Sequence, residues 1–120
     1  MTLTRGIPLS VHGAIEMFAA PAIMAAPFIL GFSALATAIG VAFGALLLTV
    51  ALQVEGPRRA VPLSAHAGFD YVLAVVAISA GLTIGLATGA LAESAFLVGI
   101  GVAQVALTAS TRFTSPRSAY

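Results

Sequence analysis

The sequence predicts an all-α fold, an integral membrane four-helix bundle made of two tandem two-helix hairpins with both termini cytoplasmic. Three observations carry that expectation. Of the 120 residues, 60% are hydrophobic and only 8% are charged, about a third of the charge that a soluble domain carries. The apolar residues fall into four stretches, each close to the roughly 20 residues that a helix needs to cross a bilayer. All five basic residues, which are all arginine, fall in segments that a four-span chain puts on one side of the membrane.

The first span is expected from about Leu9 to Leu30 and the second from about Ser33 to Gln53. The third is expected from about Leu63 to Ala87 and the fourth from about Ala90 to Ser110. Strands are not expected, because the runs lack a period of two and the chain is too short for a closed barrel. Helices satisfy their own backbone in hydrocarbon. The breaks "GFS" at 31–33 and "TGA" at 88–90 are tight, so each pair of spans reads as an antiparallel hairpin. Arg5 precedes span one, Arg58 and Arg59 lie in the central loop, and Arg112 and Arg117 lie in the tail. By the positive-inside rule these segments are cytoplasmic, which places the protein in the inner (cytoplasmic) membrane as a multi-pass chain. A cleavable signal peptide is the rival reading of span one, but the same opening motif recurs deep inside the chain.

That motif is "PLSVHGAIE" at 8–16 and "PLSAHAGFD" at 62–70. At this offset Pro8 matches Pro62, Leu9 matches Leu63 and Ser10 matches Ser64. His12 matches His66, Glu16 matches Asp70 and Gly31 matches Gly85. The organisation is therefore a single membrane domain: repeat 1 over about 8–54, a loop at 55–61, repeat 2 over about 62–110 and a tail at 111–120. Two spans per unit give a parallel repeat about an axis along the membrane normal.

Span one ends "AAPFILGFS" at 25–33. This ending, after a His and an acid on the same helix, resembles the SPW-repeat family of small bacterial membrane proteins. In that family a Ser-Pro-Trp triplet precedes an aliphatic-Gly-Phe-Ser ending. Here the triplet reads Ala26-Pro27-Phe28 and the ending is kept as Gly31, Phe32 and Ser33; the second copy reads Ala80-Gly81-Leu82 and keeps Gly85. The resemblance implies the two-hairpin architecture and no particular activity.

Small residues recur at every fourth position: Ala77, Gly81, Gly85 and Gly89 on span three, Gly40 and Gly44 on span two, and Ala95, Gly99 and Ala103 on span four. Such ladders let helices approach closely in lipid, so self-association or docking in a larger membrane complex is expected of them. Pro21 and Pro27 should bend span one, with packing the expected consequence.

His12 and Glu16 are four residues apart, as are His66 and Asp70, so each pair projects from one helix face. Ser10 and Ser64 are expected as helix caps. A carboxylate one to two turns into a membrane helix costs about 3 kcal/mol or more unless it is paired or protonated. Three readings follow. The first is a polar clasp between spans one and three in a non-enzymatic structural or accessory subunit. The second is a divalent metal site made by His12, Glu16, His66 and Asp70, or a b-type haem held by the two histidines. The third is a small proton- or cation-coupled transporter titrating at the acids. Neutral imidazoles are expected, since a charged histidine at a helix N-terminus opposes the macrodipole.

Glu93 is expected to support the start of span four, and Gln104 to hydrogen-bond across helices. The absence of Cys and Lys excludes disulfides, thiolate sites and Schiff-base chemistry. No hydrolytic or phosphate-binding motif is present. The chain therefore reads as a non-enzymatic membrane protein whose partners are the lipid bilayer and other membrane chains, not nucleic acid.

Overall fold

A computed structural model describes residues 5–53 and 62–113. The basic loop at 55–61, with Arg58 and Arg59, lies outside the described residues, as does the tail beyond Phe113, with Arg117. Four helices form the body: α1 Leu9–Ile29, α2 Ala34–Ala51, α3 Leu63–Thr88 and α4 Leu91–Ala109. Each is long and apolar enough to cross a membrane, and their ends fall within two residues of the sequence expectation. Gly31 and Gly89 make the two hairpin turns with φ of 69° and 71°, a left-handed backbone that only glycine adopts without cost.

One expectation on strands is corrected. Ile7–Pro8 (β1) and Thr111–Arg112 (β2) form a two-stranded parallel bridge, Ile7 opposite Thr111. The Ile7 amide donates to the Ser110 carbonyl at 3.0 Å, tying the end of α4 to the start of α1. The pair is too short to leave a period-two signal in the sequence.

The caps are also corrected. Pro8 and Pro62 stand at the N-cap positions, with ψ near 150° and no side-chain cap bond. Ser10 and Ser64 lie one residue inside the helix, exposed. Proline's fixed φ already sets the backbone for the helix to follow, so each helix begins two residues earlier than a serine cap requires.

Each hairpin is zipped along its length, α1 on α2 and α3 on α4, while the hairpins meet through α2 and α3 and at the site described below. Glycines make the zippers close. A Cβ on Gly44 would lie 2.9 Å from the Ala20 carbonyl, and one on Gly101 would lie 2.7 Å from the Ala74 carbonyl. On α3, Gly81 packs against Ser94 and Val98, and Gly85 against Ser94. Gly40 and Gly44 on α2 and Gly81 and Gly85 on α3 are thus consumed inside the hairpins, whereas Ala77 joins the core shared with Ala20, Phe43 and Leu47 and Gly89 turns the chain. On α4 the packing glycine is Gly101; Ala95, Gly99 and Ala103 face outward. Pro27 is buried and fills the space above Gly40, and neither proline breaks α1.

These contacts refine the repeat. Gly44 sits on Ala20 and Met24, and Gly101 on Ala74 and Ile78, so first helices correspond at an offset of 54 but second helices at 57. The extra length lies in α3, with 26 residues against 21 in α1. The match of Gly31 to Gly85 therefore fails in space: Gly31 turns the chain, Gly85 is helical, and Gly89 is the turn glycine of repeat 2.

Replacing Gly101 by alanine should destabilise the bundle by about 1–3 kcal/mol through overpacking against backbone. The same change at Gly99 should be neutral or slightly stabilising, because its Cβ meets open space and alanine favours helix. Unfolding of the two variants in mild detergent checks the contrast; equal behaviour would contradict the zipper.

Candidate metal centre

The helix-start motif is read twice and its two copies meet. Because α1 and α3 begin at the same point of the motif, the i and i+4 side chains of each helix project toward the other at the same depth. His12, Glu16, His66 and Asp70 are all buried, with exposures of 0, 0, 2 and 0%. The chain after α4 covers the histidines, through Thr111 on His12 and Phe113 on both rings.

The geometry is a closed ring. His12 Nε2 lies 3.0 Å from Glu16 Oε1 and 3.0 Å from Asp70 Oδ2. His66 Nε2 lies 3.4 Å from Glu16 Oε1 and 3.1 Å from Asp70 Oδ2. Each nitrogen thus faces two oxygens, and each oxygen two nitrogens. An Nε2 carries at most one hydrogen, so four such contacts exceed the two straightforward hydrogen bonds that two nitrogens can donate.

The surroundings fix the orientation of the donors. The Thr111 hydroxyl donates to the Leu107 carbonyl at 2.6 Å, so its oxygen accepts from His12 Nδ1–H at 2.8 Å. A proton on Nδ1 turns the Nε2 lone pair of the neutral ring into the centre of the cluster. Gln104 Nε2 donates to the outer oxygen of Glu16, Oε2, at 2.7 Å, and lies 3.4 Å from Thr108 Oγ1. The Phe113 ring packs against both imidazoles, T-shaped with His12 and tilted against His66, at centroid distances of 5.1 and 5.7 Å. Asp70 Oδ1 is the one buried side-chain polar atom without a hydrogen-bond partner among the described residues.

Sequence reasoning singled out all four members of the ring and placed Gln104 across helices, as found. It missed Thr111 and Phe113. They belong to the short stretch after α4 that the β1–β2 bridge folds back, and a threonine there carries no distinctive spacing. Glu93 lies at the start of its helix as expected, and in addition its carboxylate accepts from the Ser33 amide at 2.8 Å and the Ser33 hydroxyl at 3.0 Å. It therefore braces the N-terminus of α2, on the other hairpin, as well as lying in the first turn of its own helix.

Of the two groups expected at the histidines, a small ion fits the geometry and a haem does not. The four donor atoms lie within 4.8 Å of one another. A ring with edges near those distances, whether puckered into a tetrahedron or flattened to a square, puts its centre about 1.9–2.2 Å from every donor, which is the bond length of Zn²⁺ to histidine and carboxylate. A porphyrin between the imidazoles would have to displace both carboxylates, and the two rings are edge-to-face with centroids only 5.5 Å apart.

Compared with family models, with characterised proteins and with solved structures, the chain matches none. The likeness to the SPW-repeat family rests on its motif residues alone.

The ring also sets a stability signature. Glu16→Leu leaves two imidazoles facing one buried carboxylate and should cost about 3–5 kcal/mol, whereas replacing all four members by leucine should recover most of that loss. Unfolding in detergent with chelator present reads both; a Glu16→Leu protein as stable as its parent would show that the ring carries no coupling.

Proposed function

We propose that this is a small membrane protein whose two hairpins are joined by one divalent transition-metal ion, held by His12, Glu16, His66 and Asp70. The observation that carries the reading is the closed ring of four N···O contacts, more than the available protons satisfy as simple hydrogen bonds. A central cation satisfies all four at once, and two carboxylates neutralise its charge in a medium where an unpaired charge costs several kcal/mol. Two imidazoles and two carboxylates suit Zn²⁺ or Fe²⁺.

The supporting groups have the pattern that metal sites use. Thr111 holds the tautomer of His12, and Gln104 holds the free oxygen of Glu16. Such partners fix ligand orientation and raise affinity. The role of the ion is to clasp spans one and three, so the protein acts as a non-enzymatic subunit. The polar clasp without metal is the second reading, favoured by the same short contacts: two imidazolium–carboxylate pairs are also neutral, with each proton shared between two oxygens.

Purified protein stripped with chelator and reloaded should bind about one Zn²⁺ per chain, and His12→Ala with His66→Ala should bind none. Thr111→Val should keep the stoichiometry and weaken affinity about 10–100-fold. Metal analysis with competitive titration tells the readings apart; a chain that takes up no stoichiometric Zn²⁺ or Fe²⁺ is a metal-free clasp.

In the membrane, four spans with the arginine-bearing segments on one face put both termini and the metal end in the cytoplasm. The chain contains no cysteine, so single introduced cysteines report sidedness cleanly. Gly6→Cys should react with an impermeant thiol reagent only after the cells are opened, and Ala90→Cys should react in intact spheroplasts. The opposite pattern would invert the topology.

A further inference from the structure

The two carboxylates of the ring are not equivalent, although the repeat makes them counterparts. Glu16 spends one oxygen on the ring, and Gln104 holds the other. Asp70 also spends one oxygen on the ring, but its Oδ1 is buried and has no hydrogen-bond partner among the described residues. The register of the second helices explains the difference. At their offset of 57, Gln104 corresponds to Leu47 and Thr108 to Ala51, and both of these are buried at 1–2% exposure. Repeat 2 thus supplies an amide and a hydroxyl where repeat 1 supplies two aliphatic side chains. Leu47 packs in the same apolar cluster as Leu73, one turn from Asp70. A carboxylate oxygen left bare in such surroundings costs about 1–3 kcal/mol or more.

Resting on the metal reading above, we infer that Asp70 binds the ion through both oxygens while Glu16 is restricted to one. The centre is then five-coordinate, with two nitrogens and three oxygens, all from the protein. An aspartate chelates through a four-membered ring with the ion, which brings Oδ1 inward without moving the Oδ2 contact. Gln104 prevents the same rotation at Glu16 by holding Oε2. The donor set selects a divalent ion that accepts five mixed N/O ligands, of the Mn²⁺, Fe²⁺, Co²⁺ or Zn²⁺ class. It disfavours Cu⁺, which prefers soft thiolate or thioether donors. With the fifth position filled by Asp70, no exchangeable water is required on the ion.

Co²⁺ reports coordination number through its visible bands, which are intense in tetrahedral sites and weaker in five-coordinate ones. Stripped full-length protein in detergent is loaded with Co²⁺, and the spectrum is recorded with and without azide. The expected result is a five-coordinate spectrum that azide leaves unchanged. Leu47→Gln, which offers Asp70 Oδ1 the partner that Glu16 already has, should convert it to a severalfold more intense tetrahedral spectrum. Asp70→Asn, with a single oxygen donor, should do the same if the first variant folds poorly. A tetrahedral spectrum in the parent protein overturns the chelation while leaving the metal centre in place. Five-coordination that azide alters assigns the fifth position to an exchangeable water and also overturns it. Failure to bind either Co²⁺ or Zn²⁺ overturns the metal centre itself.

Discussion

The structure depends on the neutralisation of two buried carboxylates. Glu16 and Asp70 are wholly removed from solvent on helices whose other surfaces are apolar enough for lipid. Neither hairpin could place its acid there alone without a cost of about 3 kcal/mol or more. The cost falls only when α1 and α3 come together with their motifs in register, because each imidazole then meets the acid of the other helix as well as its own. The zippers inside each hairpin are generic, made of glycines and alanines. The ring is specific: a slide of α1 by one turn against α3 would bury four polar groups against aliphatic side chains. Packing therefore supplies contact between helices, and the ring supplies which helix, at what height and on which face.

Duplication gives this arrangement its economy and also its asymmetry. One motif, used twice, generates both halves of a four-donor ring from a single helix start. The first helices keep that motif at a constant offset, since any change would take a donor out of the ring. The second helices are free of it, and they diverge: Gln104 and Thr108 stand where Leu47 and Ala51 stand in the other repeat. Among the described residues only one of the two acids acquires an outer partner. A pseudo-symmetric frame thus surrounds an asymmetric centre, and the asymmetry lies in the helices that supply no ring member.

Four helices, their ends and the four ring residues were legible in the sequence because each leaves a strong local mark. Apolar runs of membrane length, tight Gly-containing breaks and a repeated His-x3-acid pattern need no knowledge of distant contacts. What was not legible depends on contacts between segments far apart in the chain. Thr111 reaches His12 across 99 positions, and nothing about a threonine after a helix announces that. Glu93 was read against its own helix, but its carboxylate finds Ser33, 60 positions away. The outward-facing Ala95, Gly99 and Ala103 look as regular in the sequence as the packed Ala77, Gly81 and Gly85 on α3, since regular spacing shows that small residues share a face and not which face is covered. The slip from an offset of 54 to 57 has the same origin, because a longer α3 shifts the register after the turn without disturbing the motif before it.

The segment after α4 completes the physical logic of the centre. A ring of two imidazoles and two carboxylates open to water would be solvated, and its members would gain little from one another. The β1–β2 bridge brings Thr111 and Phe113 over the ring, so both imidazoles meet an aromatic ring, and His12 a hydroxyl, in place of bulk water. In the resulting low dielectric, each interaction between a charge and its partner is stronger, and an unfilled ring is correspondingly more costly. Two protons or one divalent ion can each bring the ring to neutrality, but they make different demands on the donors. Protons need nitrogen to donate, whereas an ion needs nitrogen to present a lone pair. Thr111, by giving its own hydrogen to Leu107 and accepting from His12 Nδ1, keeps a proton on Nδ1 in both cases, since a metal-bound imidazole and an imidazolium each carry one there. A hydroxyl that the helix end holds in one orientation thus fixes the His12 ring and excludes only the neutral tautomer with its hydrogen on Nε2, leaving protons and an ion as the two ways to neutralise a site it does not itself enter.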